Sequence, residues 1–201
     1  MRILHTPIRD EDVLTLHVGD VVYLDGKIVT ARDAAHRRAL EYIKNGRRLP
    51  LDLRGMAVMH AGPVVIRRND QWKVVAIGPT SSYRMESYEA EFIKITGVKM
   101  IIGKGMMGNE TTKACSKYRV IYAIYPGGAA AIAKKSVIRV IDVKWLDLGI
   151  PEAMWVLEVN NFGPLIVMID AYGRNYYNEI VESVIKRMNM IVSKVDEELN
   201  F

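Results

Sequence analysis

Cysteine is almost absent from this chain of 201 residues. Cys115 is the only one, which excludes an internal disulfide, and no group of cysteines and histidines has the spacing of a zinc site. An iron–sulfur cluster generally needs three or four thiolates, so this chain alone is not expected to hold one. We interpret Cys115 as a small buried hydrophobic residue on a helix.

Long hydrophobic runs and basic tracts are missing too. No apolar run is long enough to span a bilayer, and the N-terminal MRILHTPIRDEDV becomes acidic too early for a signal peptide. We therefore expect a cytoplasmic protein with no membrane partner. The net charge is +5, but the basic residues are scattered among acidic ones, which argues against nucleic-acid binding. An anionic small-molecule substrate explains the excess equally well.

The N-terminal third of the sequence predicts mainly strands. In residues 1–30, Asp25-Gly26 separates two short β-rich runs, a pattern that indicates a hairpin. Residues 31–46 predict an amphipathic helix that ends in glycine. Residues 56–77 predict further strands, separated by a turn of asparagine and aspartate.

From residue 74 onward, predicted strands and helices alternate. Strands are predicted at 74–77, 98–102, 119–124 and 137–143, with helices at 84–96, 109–117 and 127–135 between them. This order is typical of a mostly parallel sheet, and the apolar strands fit burial on both faces. We expect one α/β domain over residues 1–201, with a mostly parallel central sheet, helices and a β-rich N-terminal part.

The last third predicts two more strands, at 154–159 and 165–170, and a long C-terminal helix. Apolar side chains recur in that helix at helical spacing, and we interpret them as a face packed on the core. They are Ile180, Val184, Ile185, Met188 and Ile191.

Three glycine-containing turns are predicted at the carboxyl edge of the sheet, where ligands of parallel α/β sheets bind. They are GPTSSYR (78–84), GKGMMG (103–108) and PGGAA (126–130). Each precedes a predicted helix, and helix N-termini favour anions. Ordinary turn and N-cap residues are the alternative interpretation, but three such turns in succession favour an anion site.

Charged and hydroxyl side chains strengthen that hypothesis. Arg84 and Lys104 add cations to two of the turns, and Thr80, Ser81 and Ser82 add hydroxyl donors. The segment GKGMMG also matches G-x-G-x-x-G, but no acid ends the next strand and no Ser or Thr follows the lysine as in a P-loop. A non-catalytic nucleotide- or anion-binding module is therefore an alternative.

The histidines carry weaker signals. Arg32 and His36 are four residues apart at the start of the first long helix and share a face, in what looks like an exposed helix start. We interpret His60, which precedes Gly62-Pro63, as structural. No Ser-His-Asp order or nucleophile elbow is present in the sequence.

Six segments, spread from about residue 10 to residue 180, resemble one known family. This chain resembles the β subunit, or C-terminal domain, of iron–sulfur-dependent class I fumarate hydratases and L-tartrate dehydratases. The segments are LDGKIVTARDAAHRR, IGPTSSYRM, IGKGMM, YPGGAAAIAKK, WLDLGIPEAMWVLEV and FGPLIVMIDAYGRNYY. The resemblance implies a swivelling β/β/α fold.

The resemblance also implies a hydro-lyase that shares its active site with another chain. Such enzymes add or remove water across a dicarboxylate double bond, with a [4Fe–4S] cluster as Lewis acid. An α subunit supplies the three cluster cysteines, so no metal is expected on this chain. Fumarate and malate are the favoured substrates and L-tartrate the alternative. A hetero-oligomer is implied, and the isolated chain could form a homo-oligomer.

Matched by position, the resemblance implies roles for individual residues. Thr80 corresponds to the base that takes the C3 proton, Arg84 and Arg32 to arginines that bind substrate carboxylate, and Lys104 to a lysine that contacts substrate. Ser81 is added as a substrate-binding hydroxyl. A threonine hydroxyl is a very poor base, so Arg84 and Lys104 would have to lower its pKa by their positive potential.

The sequence departs from the family pattern at three positions. Ser81 replaces a threonine, Tyr83 a small residue and Met106 a glycine. Thr80 and both charges are intact, so activity is expected to survive. The larger side chains at 83 and 106 leave the choice of substrate open.

Overall fold

The computed structural model describes residues 2–199, which contain nine strands and six helices. The strands are β1 (Arg2–His5), β2 (Val21–Thr30), β3 (Ala57–Met59), β4 (Val64–Arg68), β5 (Gln71–Ala76), β6 (Met100–Gly103), β7 (Ile121–Ile124), β8 (Val137–Lys144) and β9 (Met154–Ile169). The helices are α1 (Asp10–Leu14), α2 (Asp33–Lys44), α3 (Glu86–Thr96), α4 (Asn109–Tyr118), α5 (Ala130–Ala133) and α6 (Tyr176–Leu199).

Five strands close on themselves into a small barrel. β2, β3, β6 and β7 pair side by side in parallel, and β9 pairs antiparallel with both β7 and β2. β1 extends the sheet beyond β2 in parallel, and β8 pairs antiparallel with β9. The fold is therefore mixed α/β. The prediction of a mostly parallel central sheet needs correction, because the longest strand runs antiparallel and closes the barrel.

The strand β9 replaces two predicted strands. It runs without interruption from Met154 to Ile169, where the sequence predicted separate strands at 154–159 and 165–170. Strands of more than ten residues are uncommon, but this one pairs with β2, β7 and β8 along its length. Three partners along its length keep it extended.

The predicted hairpin at Asp25-Gly26 is wrong. β2 is continuous through both residues, and its register against β9 shifts between Leu24 and Gly26, which marks a β-bulge. Gly26 has φ +104°, and a Cβ there would lie 2.6 Å from Thr6 Oγ1. Gly26 therefore allows the β-bulge and also the close approach of Thr6, which directly follows β1. Glycines inside strands often have these two roles.

The hairpin at Asn69-Asp70 is confirmed. Both residues have positive φ, 47° and 60°, the combination that favours a tight two-residue turn, and β4 pairs antiparallel with β5. These two strands form a sheet of their own. Residues 74–77 are thus not the first strand of a parallel βαβ series, contrary to the prediction.

Strand residues alternate between two apolar layers, as the period of two requires. Met59 and Ile102 belong to one cluster, which also takes in Trp155 and the N-terminal segment. Val58 and Ile101 belong to the other, in which helices α2, α3 and α4 cover the sheet. Cys115 on α4 is fully buried in this second layer, which confirms its predicted role.

The C-terminal helix is present, but its apolar face is not packed on the core. The five residues predicted to form a core face are between 42% and 63% exposed. Helical periodicity identified the amphipathic face correctly, but it does not identify what the face packs against. Among residues 2–199, no helix is long and apolar enough to cross a membrane.

Candidate functional site

The carboxyl ends of four parallel strands meet at one edge of the barrel. β2 leads there into Arg32, β3 into His60, and β6 into Lys104. Because β9 runs in the opposite direction, the residues before it, including Glu152, reach the same edge. The closed barrel thus brings together segments that are far apart in sequence.

The three predicted turns contact one another at this edge. Ser81 and Lys104 form a short parallel bridge, with Ser82 N donating to Lys104 O at 3.0 Å. The third turn lies beside them, since a Cβ on Gly127 would be 3.2 Å from Lys104 Cδ. The predicted convergence of the turns is therefore correct.

Arg84 connects Thr80 to the start of helix α2. Its Nη1 donates to Thr80 Oγ1 at 3.1 Å, and its Nε donates to Asp33 Oδ1 at 3.2 Å. Nη2 forms a further short contact with Asp33 Oδ2. The two contacts with Asp33 hold the guanidinium plane of Arg84 in one orientation. Its positive charge then lies beside Oγ1 of Thr80.

The electrostatics of Asp33 follow from this pairing. Burial is the largest single influence and acts to raise the pKa of Asp33. The hydrogen bonds from Arg84 and from the backbone of Asp33, together with the charges of Arg84 and Arg32, outweigh it and leave the pKa below its ordinary value. The same pairing raises the pKa of Arg84. Tyr88 lies close by, and burial followed by the charge of Asp33 raises its pKa to about 12. Asp33 is thus an anion that positions a cation.

Arg32 is held at the same edge by a different carboxylate. Its Nη2 lies 3.3 Å from Glu152 Oε1, with both side chains about four-fifths buried. Its Nε is buried without a hydrogen-bond partner among the described residues. A Cβ on Gly62 would come within 2.8 Å of Arg32 Nη1, so glycine leaves the space that this guanidinium occupies.

Carboxylates of the protein itself occupy the start of α4, which was expected to bind an anion, and also the start of α2. Glu86 accepts hydrogen bonds from Gly108 N (2.7 Å) and Thr111 N (3.3 Å) at the start of α4. Glu152 Oε2 accepts from Ala34 N at the start of α2 (2.9 Å). The turn 126–130 leads only into the four-residue α5. Anion binding at this edge therefore depends on side chains, and the GKGMMG segment offers little to a nucleotide phosphate.

Replacing Glu86 by alanine is expected to lower the free energy of unfolding by about 2 kcal/mol. The change removes three hydrogen bonds to one carboxylate, including that from Thr111 Oγ1, and leaves the start of α4 uncapped. Urea denaturation measures the effect. Glu91→Ala is the matched control, because the exposed Glu91 contacts only Lys94 among the ion pairs of the described residues, and a change under about 0.5 kcal/mol is expected there. Equal losses would contradict the capping role.

Beneath these loops lies a buried group of His36, His60 and Glu89. All three side chains have no exposed surface. His60 Nδ1 lies 3.0 Å from Ser82 Oγ, which in turn accepts a hydrogen bond from Lys104 N at 3.1 Å. His60 is structural in position, as predicted, whereas His36 is not at an exposed helix start.

Comparison with known proteins assigns the chain to a family. Residues 2–180 match the family model described as Fumarase C-terminus. The chain belongs to this family.

Relatives of known name cover most of the chain. The L(+)-tartrate dehydratase subunit beta of Escherichia coli is 45% identical over 200 residues, covering 100% of this chain and 98% of that protein. A putative L(+)-tartrate dehydratase subunit beta of Methanocaldococcus jannaschii is 49% identical over 183 residues, covering 90% of this chain and 94% of that one. A putative class I fumarate hydratase of Geobacillus stearothermophilus is 36% identical over 193 residues, 96% of this chain but 36% of that longer protein.

An iron–sulfur cluster does not fit the residues of this Fumarase C-terminus chain. The single thiol, that of Cys115, is fully buried on α4 within the helix-covered layer. Burial, followed by nearby carboxylates, raises its pKa well above the ordinary value, whereas a cluster ligand must be a thiolate. No step of the chemistry is therefore assigned to a cluster on this chain.

Sequence reasoning placed Asp33 at the start of the first long helix but assigned neither Asp33 nor Glu152 a role at this site. Asp33 orients Arg84, and Glu152 both contacts Arg32 and caps α2. Asp33 directly follows Arg32 in the sequence, but its role depends on a partner 51 positions away. Glu152 carries no local signal, because only closure of the barrel by β9 brings it to this edge.

Proposed function

We propose that this chain is the β subunit of a two-subunit hydro-lyase of the class I fumarate hydratase type. It would catalyse the reversible hydration of fumarate to malate at a site shared with an α subunit. The observation that carries the proposal is the placing of Thr80 beside Arg84 at 3.1 Å, with Lys104 and Arg32 on the same sheet edge, in a member of the Fumarase C-terminus family.

The charges of this edge suit a small dicarboxylate. Arg84 and Arg32 are each held by one carboxylate of the protein, so their orientation is set before a substrate arrives and less ordering is required on binding. We assign substrate carboxylates to Arg32 and Arg84, with Lys104 as an additional cationic contact and Ser81 as a hydroxyl donor. Lys104 and Ser81 are both exposed, so a ligand can reach them from solution.

Thr80 is the proposed proton acceptor. In dehydration of malate, the alkoxide of Thr80 would take the C3 proton and become the neutral hydroxyl as the hydroxyl group of C2 leaves. In hydration of fumarate, the Thr80 hydroxyl would give its proton to C3 and become the alkoxide again. The guanidinium of Arg84 beside Oγ1 stabilises the negative charge that proton loss leaves on the oxygen. Thr80 N donates to His60 O at 2.7 Å, which fixes the backbone that carries the hydroxyl.

The partner is proposed to be an α subunit with three cysteines that hold a [4Fe–4S] cluster. Two relatives of nearly the same length are named as β subunits, and the longer relative contains the matching region within a single chain. Arg84 is 46% exposed, so this half of the site is open to such a neighbour. We further propose a cytoplasmic hetero-oligomer, and one swivelling β/β/α-type domain over residues 1–201.

L-Tartrate is a second candidate substrate. Two relatives that match over at least 90% of both chains are named as an L(+)-tartrate dehydratase subunit beta and a putative one. Tyr83 and Met106, which differ from the fumarase pattern, are 59% and 41% exposed and lie within the turns 78–84 and 103–108. Side chains of this size beside the cations would select between diacids with one and two hydroxyl groups.

Anaerobic reconstitution with the partner chain tests the proposal. Fumarate, malate and L-tartrate are offered to the two-chain enzyme, and water addition or loss is followed by absorbance of the unsaturated or keto product. Turnover of fumarate and malate supports the fumarase assignment, and turnover of L-tartrate alone supports the second. No turnover of any of them, with a fully loaded cluster in the partner, would contradict both. Specific binding of a nucleotide to the isolated chain would instead favour the alternative of a non-catalytic nucleotide-binding module.

A further inference from the structure

The buried group of His36, His60 and Glu89 contains polar atoms that the described residues do not satisfy. Neither Nε2 atom and neither carboxylate oxygen of Glu89 has a hydrogen-bond partner of acceptable geometry among residues 2–199. Buried polar atoms are nearly always paired, and an unpaired group in a native protein calls for an explanation such as a bound ion. Four unsatisfied polar atoms in one buried group indicate that a binding partner belongs there.

The contacts of the two Nδ1 atoms bear on which ring nitrogens of His36 and His60 carry hydrogen. His36 Nδ1 lies 2.9 Å from Arg32 O. A carbonyl oxygen only accepts, so this nitrogen must carry hydrogen, and Nε2 of the neutral ring presents a lone pair inward. His60 Nδ1 contacts Ser82 Oγ at 3.0 Å, which is compatible with the same tautomer. Histidines that bind metals characteristically donate their other N–H to such outer partners.

A lone pair and a carboxylate facing each other need a cation between them. Glu89 Oε2 lies 3.5 Å from His36 Nε2 and 3.0 Å from His60 Nε2. A proton on one ring would pair a single nitrogen with a single oxygen and leave the other ring unpaired. A metal ion would coordinate all three side chains at once.

We propose that His36, His60 and Glu89 form a structural binding site for a divalent transition metal, with Zn²⁺ as the preferred ion. The three donor atoms lie within 4.8 Å of one another. Donors around a tetrahedral ion with bonds of about 2.0–2.1 Å are about 3.3 Å apart, and the two measured separations from Glu89 lie on either side of that value. Two imidazoles and a carboxylate are a ligand set that Zn²⁺ favours, with a water as fourth ligand.

This site would join the three segments that carry Arg32, Thr80 and Arg84 at the edge of the barrel, which we call the cationic edge. His36 belongs to α2, which begins directly after Arg32, and His60 lies between β3 and the turn that holds Thr80. Glu89 belongs to α3, which follows Arg84. A bound ion would therefore fix these segments relative to one another. The site does not depend on the hydro-lyase proposal, since it needs neither partner nor substrate.

Metal analysis of the full-length chain tests the site directly. The chain is purified without a histidine tag, and its zinc content is measured by mass spectrometry after gel filtration. About one ion per chain is expected, because structural zinc sites bind tightly enough to survive purification. Replacement by Co²⁺ should give the visible absorption of a four-coordinate nitrogen–oxygen site, and chelation should lower Tm, since an ion that binds only the folded state stabilises it.

Variants assign the ligands. Glu89→Gln keeps the shape but removes the anionic ligand, and His36→Gln removes an imidazole, so each should reduce bound metal at least about tenfold. His5→Gln is the control, because His5 is 75% exposed and distant in sequence from the group, and it should bind metal as the unchanged chain does. If a variant fails to fold, its metal content says nothing about the ligands. The Co²⁺ spectrum of the unchanged chain then decides whether the site binds metal.

The proposal is overturned if the folded chain contains no metal, gives no Co²⁺ absorption and keeps its Tm in chelator. The group would then be an ion pair of a protonated histidine with Glu89. Equal metal content in Glu89→Gln and the unchanged chain would equally remove the assignment. Failure here leaves the proposed hydro-lyase activity untouched, because that is measured by turnover with the partner.

Discussion

Thr80→Val is expected to lower kcat of the reconstituted enzyme by about 10²–10⁴-fold, the usual contribution of a positioned acid–base group. Valine has nearly the shape of threonine but cannot accept or return a proton. Thr80 is only partly buried, and its backbone contact to His60 O does not involve the side chain. The fold should therefore be unaffected, and KM should change little, because the cations that bind carboxylate remain.

Thr80→Ser is the matched control for this change. Serine keeps the hydroxyl within reach of Arg84 Nη1, so activity should stay within about tenfold of the original. Steady-state kinetics with saturating malate or tartrate distinguish the two variants. If the valine variant keeps full kcat, Thr80 is not the base, and a different group must take the C3 proton.

Arg84→Lys is expected to reduce kcat/KM by about 10- to 100-fold. Lysine keeps the positive charge but cannot contact Asp33 at two points and Thr80 Oγ1 at the same time. Each hydrogen bond lost to a charged group costs about 1.5–3 kcal/mol, and a loss of 1.4 kcal/mol corresponds to a factor of ten. Both KM and kcat should suffer, because Arg84 is proposed to bind carboxylate and to stabilise negative charge on Thr80.

Arg67→Lys supplies the control for the arginine change. Arg67 lies on β4 and pairs with the exposed Asp70 within the hairpin, away from the cationic edge. Its replacement should leave kcat/KM within twofold, as surface ion pairs contribute little. Similar kinetics for Arg84→Lys and Arg67→Lys would remove Arg84 from the site.

Local patterns predicted most individual elements of this protein. Short continuous runs of apolar residues identified β6 and β7, and glycine stops identified the ends of α2 and α3. The contact between the turns 103–108 and 126–130 follows from the parallel neighbours β6 and β7, whose carboxyl ends share an edge. The turn 78–84 follows β5 of the separate hairpin, and it reaches the same edge through the bridge between Ser81 and Lys104. These features depend on residues close in sequence or on a general rule of sheet geometry.

The failures occurred where a distant partner decides the outcome. Asp25-Gly26 has turn chemistry, but pairing with β9 keeps β2 extended through it. The apolar face of α6 has the expected spacing, yet it remains exposed. Glu86 occupies the N-terminus of α4, which the sequence suggested for a ligand. For β2 and α4 the competing interaction joins residues far apart in the chain, which no short window contains. For α6 the spacing of the apolar residues does not identify what they pack against.

The pairing of β2 with β9 has a consequence for biosynthesis. Val21 pairs with Ile166 and Val29 with Val156, so β2 pairs with β1 and β3 early but has no antiparallel neighbour until the final third of the polypeptide is made. Contacts of such long sequence separation slow folding, because closure of a long loop must precede them. While the ribosome is still adding the last residues, the unpaired edge of β2 is a surface that a chaperone could shield.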